Sequence, residues 1–98
     1  MNKRLIAPGI AILEERTESF GEKYTLKYIL FGSVGETEEQ TVYSIFAAKK
    51  QGNIEKSTDF VYDAVRDASS AHKIFTLLAE GLVTPITLRD VIEDFISE

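Results

Sequence analysis

The hydrophobic pattern of this chain changes period once, near residue 66, and that change restricts the folds open to it. Before residue 66, apolar and polar side chains alternate, which is typical of half-buried β-strands. After residue 66, apolar side chains recur every three or four residues, which is typical of amphipathic helices. The order of the two patterns predicts an α+β fold in which the strands come first and the helices follow.

The first pattern predicts an antiparallel meander of three or four strands. Alternation places three strands at residues 9–17, 22–31 and 41–50, and residues 60–65 could supply a fourth. The connections, including residues 32–40, are rich in glycine and acidic residues, as hairpin loops are. Short connections of this kind join neighbouring antiparallel strands.

The predicted strand at residues 22–31 is apolar on both faces at one end. One face carries a continuous apolar series: Tyr24, Leu26, Tyr28 and Leu30. The opposite face is polar at Lys23, Thr25 and Lys27, then becomes apolar at Ile29 and Phe31. We therefore expect both faces of the sheet to be covered at this end.

The second pattern predicts two helices within residues 70–97. Ser69 or Ser70 could cap the first helix, and Gly81 is placed to end it in a left-handed conformation. Pro85 blocks continuation and marks the join between the helices. The apolar stripe of the first helix consists of Ala71, Ile74, Phe75, Leu78 and Leu82.

The second helix has an apolar stripe on one side only. Two starts are open: a capping box of Thr87 and Asp90, or Thr84 as N-cap with Pro85 at the first helical position. One stripe on each helix predicts that both helices pack on one face of the sheet. The stripe predicted to be buried consists of Leu88, Val91, Ile92, Phe95 and Ile96.

Composition excludes several classes of function. The 98 residues make one domain, 1–98, with a net charge of −5 and no cysteine. A disulfide framework, a thiolate nucleophile and cysteine zinc sites are therefore excluded. The strongest local basic excess is Lys49-Lys50, too little for a phosphate-binding stripe, so we expect neither nucleic acid nor a membrane surface as partner.

The apolar start of the chain does not resemble a signal peptide. An apolar run follows Lys3 and Arg4, but Pro8-Gly9 interrupts it and acidic residues follow Leu13. No segment reaches the ~20 apolar residues of a membrane span. We therefore expect a cytoplasmic protein.

Polar residues of the second helix form the candidate interaction surface. Arg89, Asp90, Glu93 and Asp94 lie opposite or beside the apolar stripe. Asp90 with Glu93 or Asp94 offers two carboxylates to a hard cation, but two ligands on a solvated helix do not make a metal site. The cluster is either the solvated side of a helix or a surface that binds a partner.

No residues are assigned a catalytic or cofactor-binding role. His72 is the only histidine, and Asp67, Ser69 and Ser70 precede it closely. A catalytic triad is assembled in space and needs an oxyanion hole, for which no motif is present. We expect a partly exposed surface histidine, no enzyme activity and no cofactor.

The segment "TLLAEGLVTPITLRDVIEDFI" resembles a family of small bacterial proteins of unknown function. The resemblance covers roughly residues 65–97. It implies strands followed by two helices and a bacterial cytosolic setting, and it brings no activity, cofactor or catalytic residue. The residues that carry it are Val83, Thr84, Pro85, Leu88, Asp90, Val91, Glu93, Asp94 and Phe95.

Three functional hypotheses follow from the sequence. The first is a small non-enzymatic module that binds another protein through the acidic helix face or a sheet edge. The second is a structural or regulatory homodimer whose sheet edges pair. The third is a protein that binds a small ligand in a pocket between sheet and helices, lined by Tyr28, Tyr43 or Phe46.

Overall fold

The computed structural model describes residues 4–7, 9–34 and 40–97. Within them, one antiparallel sheet is followed by two helices, and the strands lie side by side in chain order. The elements are β1 (Arg4–Ala7), β2 (Ile10–Phe20), β3 (Tyr24–Val34), β4 (Thr41–Gln51), β5 (Ile54–Val65), α1 (Ala68–Glu80) and α2 (Pro85–Ser97).

The predicted α+β meander is confirmed, with four long strands where three or four were expected. The fourth strand predicted at residues 60–65 is present as β5. It is longer than predicted and begins at Ile54. The short strand β1 precedes the predicted set and pairs with β2. Residues 35–39 of the predicted connection lie outside the described residues.

Both helices pack on one face of the sheet, as predicted. The core combines one face of β3 and β4 with the apolar stripes of the helices. Tyr28 pairs with Ala47, and Leu30 with Ile45, so these four buried side chains share a face. The fully buried members that the helices contribute include Phe75, Leu78, Leu88 and Ile92.

The start of α1 differs from the prediction. Asp67 is the N-cap, not Ser69 or Ser70, and its Oδ1 accepts the Ser70 N–H at 2.8 Å. The positive end of the helix dipole also stabilises a carboxylate at this position. Hydrogen bonds from the Ser70 backbone and side chain lower the pKa of the Asp67 carboxyl.

The end of α1 also differs, by one residue. Gly81 has φ −83°, whereas Leu82 has φ +53° and occupies the left-handed position predicted for the glycine. The Val83 N–H donates to Leu78 O and the Leu82 N–H donates to Ala79 O. This pair of bonds is the Schellman ending, which needs a left-handed residue immediately after the cap, and that residue is Leu82.

The start of α2 agrees with one of the two alternatives. The helix begins at Pro85 directly after Thr84, so the capping box at Thr87 is wrong. The predicted buried stripe is only partly right, because Leu88 and Ile92 are buried, whereas Val91 and Phe95 are half-buried. Ile96 is 56% exposed, since it lies in the last turn beyond the reach of the core.

Candidate functional site

The predicted surface on α2 is exposed, but its basic member faces another element. Asp90, Glu93 and Asp94 are exposed, and no ion pair involves them within the described part of the chain. The Arg89 Nη2 instead donates to Asp59 Oδ1 at 3.4 Å and to the Phe60 carbonyl at 3.2 Å. Arg89 thus ties α2 to β5, and three acids remain as the outward surface.

The described residues contain no arrangement suited to metal binding. No group of three or more His, Asp or Glu residues converges among residues 4–7, 9–34 and 40–97. Asp90, Glu93 and Asp94 therefore remain separate carboxylates on a solvated helix. Whether this face binds a partner stays a prediction.

His72 makes a contact that sequence spacing could not predict. A bulge in β2 at Leu13 turns both Leu13 and Glu14 towards the helices. Glu14 Oε2 then lies 2.5 Å from His72 Nδ1 on α1, across 58 positions of sequence. The Asp67 carboxylate caps α1, and the partner of His72 is Glu14, so Asp67 and His72 do not form a catalytic triad with a serine. The Glu14–His72 contact links β2 to α1.

Lys49 also has a partner that the sequence did not indicate. Its Nζ lies 4.4 Å from the ring centroid of Tyr24 and 5.4 Å from that of Phe20. Such cation–π contacts stabilise a charge against an aromatic face. The Lys49 ammonium therefore contacts aromatic rings of its own sheet. This contact makes the Lys49-Lys50 pair even less suited to binding a phosphate.

Two of the three candidate residues for a ligand pocket between sheet and helices lie on opposite faces of the sheet. Tyr28 is fully buried, and its hydroxyl donates to the Val83 carbonyl at 2.7 Å. Ile29, the next residue, pairs with Phe46, so Phe46 lies on the sheet face opposite to Tyr28. Tyr28 and Phe46 therefore cannot line one pocket.

The sheet face that the helices leave uncovered carries an apolar cluster. We define the open-face patch as the residues that share this face through direct strand pairing: Ile12, Ile29, Phe31, Phe46 and Phe60. The rings of Phe31 and Phe60 meet edge to face, with centroids 6.0 Å apart. Phe60 is 45% exposed, and the other four are half-buried.

Charged residues of both signs continue this face beyond the patch. Lys27 lies 3.9 Å from Glu15 in an ion pair. Lys50 and Glu55 are opposite each other in the strand register of β4 and β5. An apolar centre beside a mixed polar rim is the usual anatomy of a protein–protein interface. The apolar residues Ile29 and Phe31 led to the prediction that this face is also buried. Neither α1 nor α2 packs on it, because both helices lie on the opposite face.

A family model matches residues 9–98, and its description is "Family of unknown function (DUF6514)". The chain belongs to this family. The match includes β2 to β5 and both helices, so the open-face patch and the acidic face of α2 lie within the DUF6514 region. No curated protein and no solved structure matches this chain.

The helical side of this DUF6514 protein has a cavity of about 280 Å³ between the two helices, lined by Ser70, Lys73, Ile74, Leu77 and Phe95. Among the described residues, neither helix is long and apolar enough to cross a membrane.

Proposed function

We propose that this chain is a small non-enzymatic interaction module that binds another polypeptide through its open-face patch. The observation that carries the proposal is the position of three phenylalanines, Phe31, Phe46 and Phe60, on the sheet face opposite to both helices. Half-buried antiparallel sheets normally present polar side chains on the face that remains in water. An aromatic cluster there is suited to an interface.

The energetics also favour a polypeptide partner. Phenylalanine has few rotatable bonds, so it buries a large apolar area on binding at little cost in entropy. Each Å² of apolar surface that a partner removes from water contributes about 25 cal/mol. The contacts between Phe31 and Phe60 and the strand pairing of Phe46 hold these rings in place before binding.

The proposal includes a bacterial cytoplasmic setting, with neither nucleic acid nor membrane as partner and no cofactor. The net charge of −5 supports the first exclusion, because phosphate backbones repel an acidic protein. Within the described residues, the separate carboxylates and the Glu14–His72 contact supply no nucleophile beside a base, which supports a non-enzymatic role.

Site-specific photo-crosslinking tests the proposed surface. A benzophenone amino acid replaces Phe60 in the patch or, as a control, Ile86 on α2, which is 83% exposed. In the native host, we expect position 60 to form one defined adduct with a polypeptide that mass spectrometry identifies. Excess unlabelled protein should compete it away. Equal adducts from both positions, or none from position 60, would refute the proposal.

The acidic face of α2 is a second candidate surface. Asp90, Glu93 and Asp94 lack basic partners among the described residues, and the acids of the last turns oppose the helix dipole. A basic segment of a partner would relieve both. If this face binds, a benzophenone amino acid at position 90 forms an adduct, and the double variant Glu93→Lys, Asp94→Lys loses that adduct while its melting temperature stays unchanged. An unchanged adduct excludes this face.

A further inference from the structure

We propose that the polypeptide covering the open face is a second copy of this chain, so that two sheets stack face to face in a homodimer. The inference rests on the proposed function and names its partner. It differs from the predicted edge pairing, because the contact runs through the Phe31, Phe46 and Phe60 face and not through a strand edge.

The size of the open face approaches what a dimer needs. About fifteen residue positions of β2 to β5 lie on it with accessible side chains, because Val42, Ser44 and Ala48 on the same face are buried. Each position covers roughly 32 Å² from a strand spacing of ~4.8 Å and a two-residue repeat of ~6.7 Å, so the accessible part spans roughly 500 Å² in projection, before side-chain relief is added. A standard interface buries about 800 Å² of accessible surface on each partner.

The charge distribution also favours a second copy. The described charged side chains placed on this face by the pairing register are two acids and two bases: Glu15, Lys27, Lys50 and Glu55. At these paired positions the charges of the face cancel, in a chain of net charge −5. The exposed acids Asp90, Glu93 and Asp94 lie on the helix layer, so face-to-face stacking keeps them apart and limits repulsion between copies.

The edge formed by β5 is less suited to pairing than the face. The register of β5 shifts twice against β4, and Asp63 there has φ +52°. The Phe60 carbonyl already accepts a hydrogen bond from Arg89. Such irregularities interrupt the regular array of donors and acceptors that edge-to-edge pairing requires. Face-to-face packing of sheets needs no free edge.

Sedimentation equilibrium of the full chain tests the inference. With rising concentration, we expect the wild-type mass to approach twice 11.0 kDa. Phe60→Glu should raise the dimer dissociation constant roughly 30-fold or more, the factor that corresponds to a hot-spot residue. Ile86→Glu places the same charge at an exposed apolar position on α2 and should behave as wild type.

A second variant keeps the test informative if Phe60→Glu fails to fold. Lys27→Glu leaves the patch intact and makes the face acidic on both copies. We expect about a tenfold weaker dimer at low salt, with recovery at high salt as the repulsion is screened. Circular dichroism checks that each variant is folded.

Three outcomes would overturn the homodimer. They are a wild-type mass of 11.0 kDa at every concentration, dimerisation of folded Phe60→Glu at wild-type strength, or loss of the dimer in Ile86→Glu. The first outcome leaves the proposed interaction module standing if position 60 still crosslinks to a different polypeptide. The absence of any adduct removes both.

Discussion

Phe75→Ala lowers the free energy of unfolding by about 3–5 kcal/mol, the usual cost of emptying a buried phenylalanine site. Phe75 is fully buried on α1, and its ring meets the Tyr28 ring of β3 edge to face, with centroids 6.5 Å apart. The substitution removes the apolar contacts and leaves a cavity between helix and sheet. Because a domain of this size has only ~5–15 kcal/mol of net stability, the variant is close to unfolding.

Denaturant unfolding followed by circular dichroism measures this loss. Leu77→Ala is the matched control, because Leu77 lies on the same helix but is 40% exposed. We expect the control to lose less than half as much as Phe75→Ala, in proportion to the apolar area removed from the core. Similar losses in the two variants would contradict the packing of α1 on the sheet.

Tyr28→Phe lowers the free energy of unfolding at neutral pH. It also removes the part of the stability loss at alkaline pH that comes from ionisation of Tyr28. The Tyr28 hydroxyl donates to the Val83 carbonyl at 2.7 Å, and its loss leaves that carbonyl without this partner. The expected cost is about 1–2 kcal/mol. Because Tyr28 lies in β3 and Val83 follows α1, the bond fixes the segment between the helices against the sheet.

The pH dependence follows from the direction of the pKa shift. Burial, together with the negative charge of Glu18, raises the pKa of Tyr28 from 10.0 to about 12, although Arg16 opposes the shift. The folded state therefore holds the phenolic proton more tightly than the unfolded state. The resulting stability is complete below pH 10 and is lost as the pH rises from about 10 to 12.

Thermal melts of wild type and Tyr28→Phe at pH 8, 10 and about 11.5 separate this effect from other alkaline titrations. The difference between the two melting temperatures should shrink as the pH rises through that window. A difference that stays constant would mean that Tyr28 is not buried as a neutral phenol.

Sequence periodicity was sufficient to predict the architecture, because each period maps directly onto one element type. The alternation around Tyr28 and Leu30 located β3, and the spacing of Leu88 and Ile92 located α2. Apart from the short strand β1, which was not predicted, and the extent of the buried stripe on α2, the errors concern ends of elements, where one hydrogen bond decides the position. The left-handed residue is Leu82 and not Gly81, because the Schellman bonds fix which residue follows the cap.

The candidate surfaces were only partly predictable. Exposure of Asp90, Glu93 and Asp94 followed from helix geometry, but the contact of Arg89 with Asp59 joins residues 30 positions apart. The apolar character of Ile29 and Phe31 was visible, whereas their union with Phe60 depends on the register of β4 and β5. A pattern within one strand indicates that a face is apolar, but not which element covers it.

Radical footprinting on the assembled protein tests the central claim most directly. The oxidation rates of Phe60 and Ile86 are compared between dilute purified protein and protein kept at native concentration with its partner. The open-face account predicts that Phe60 becomes protected on assembly while Ile86 reacts at an unchanged rate. Unchanged reactivity of Phe60, or protection of Ile86 alone, would contradict it.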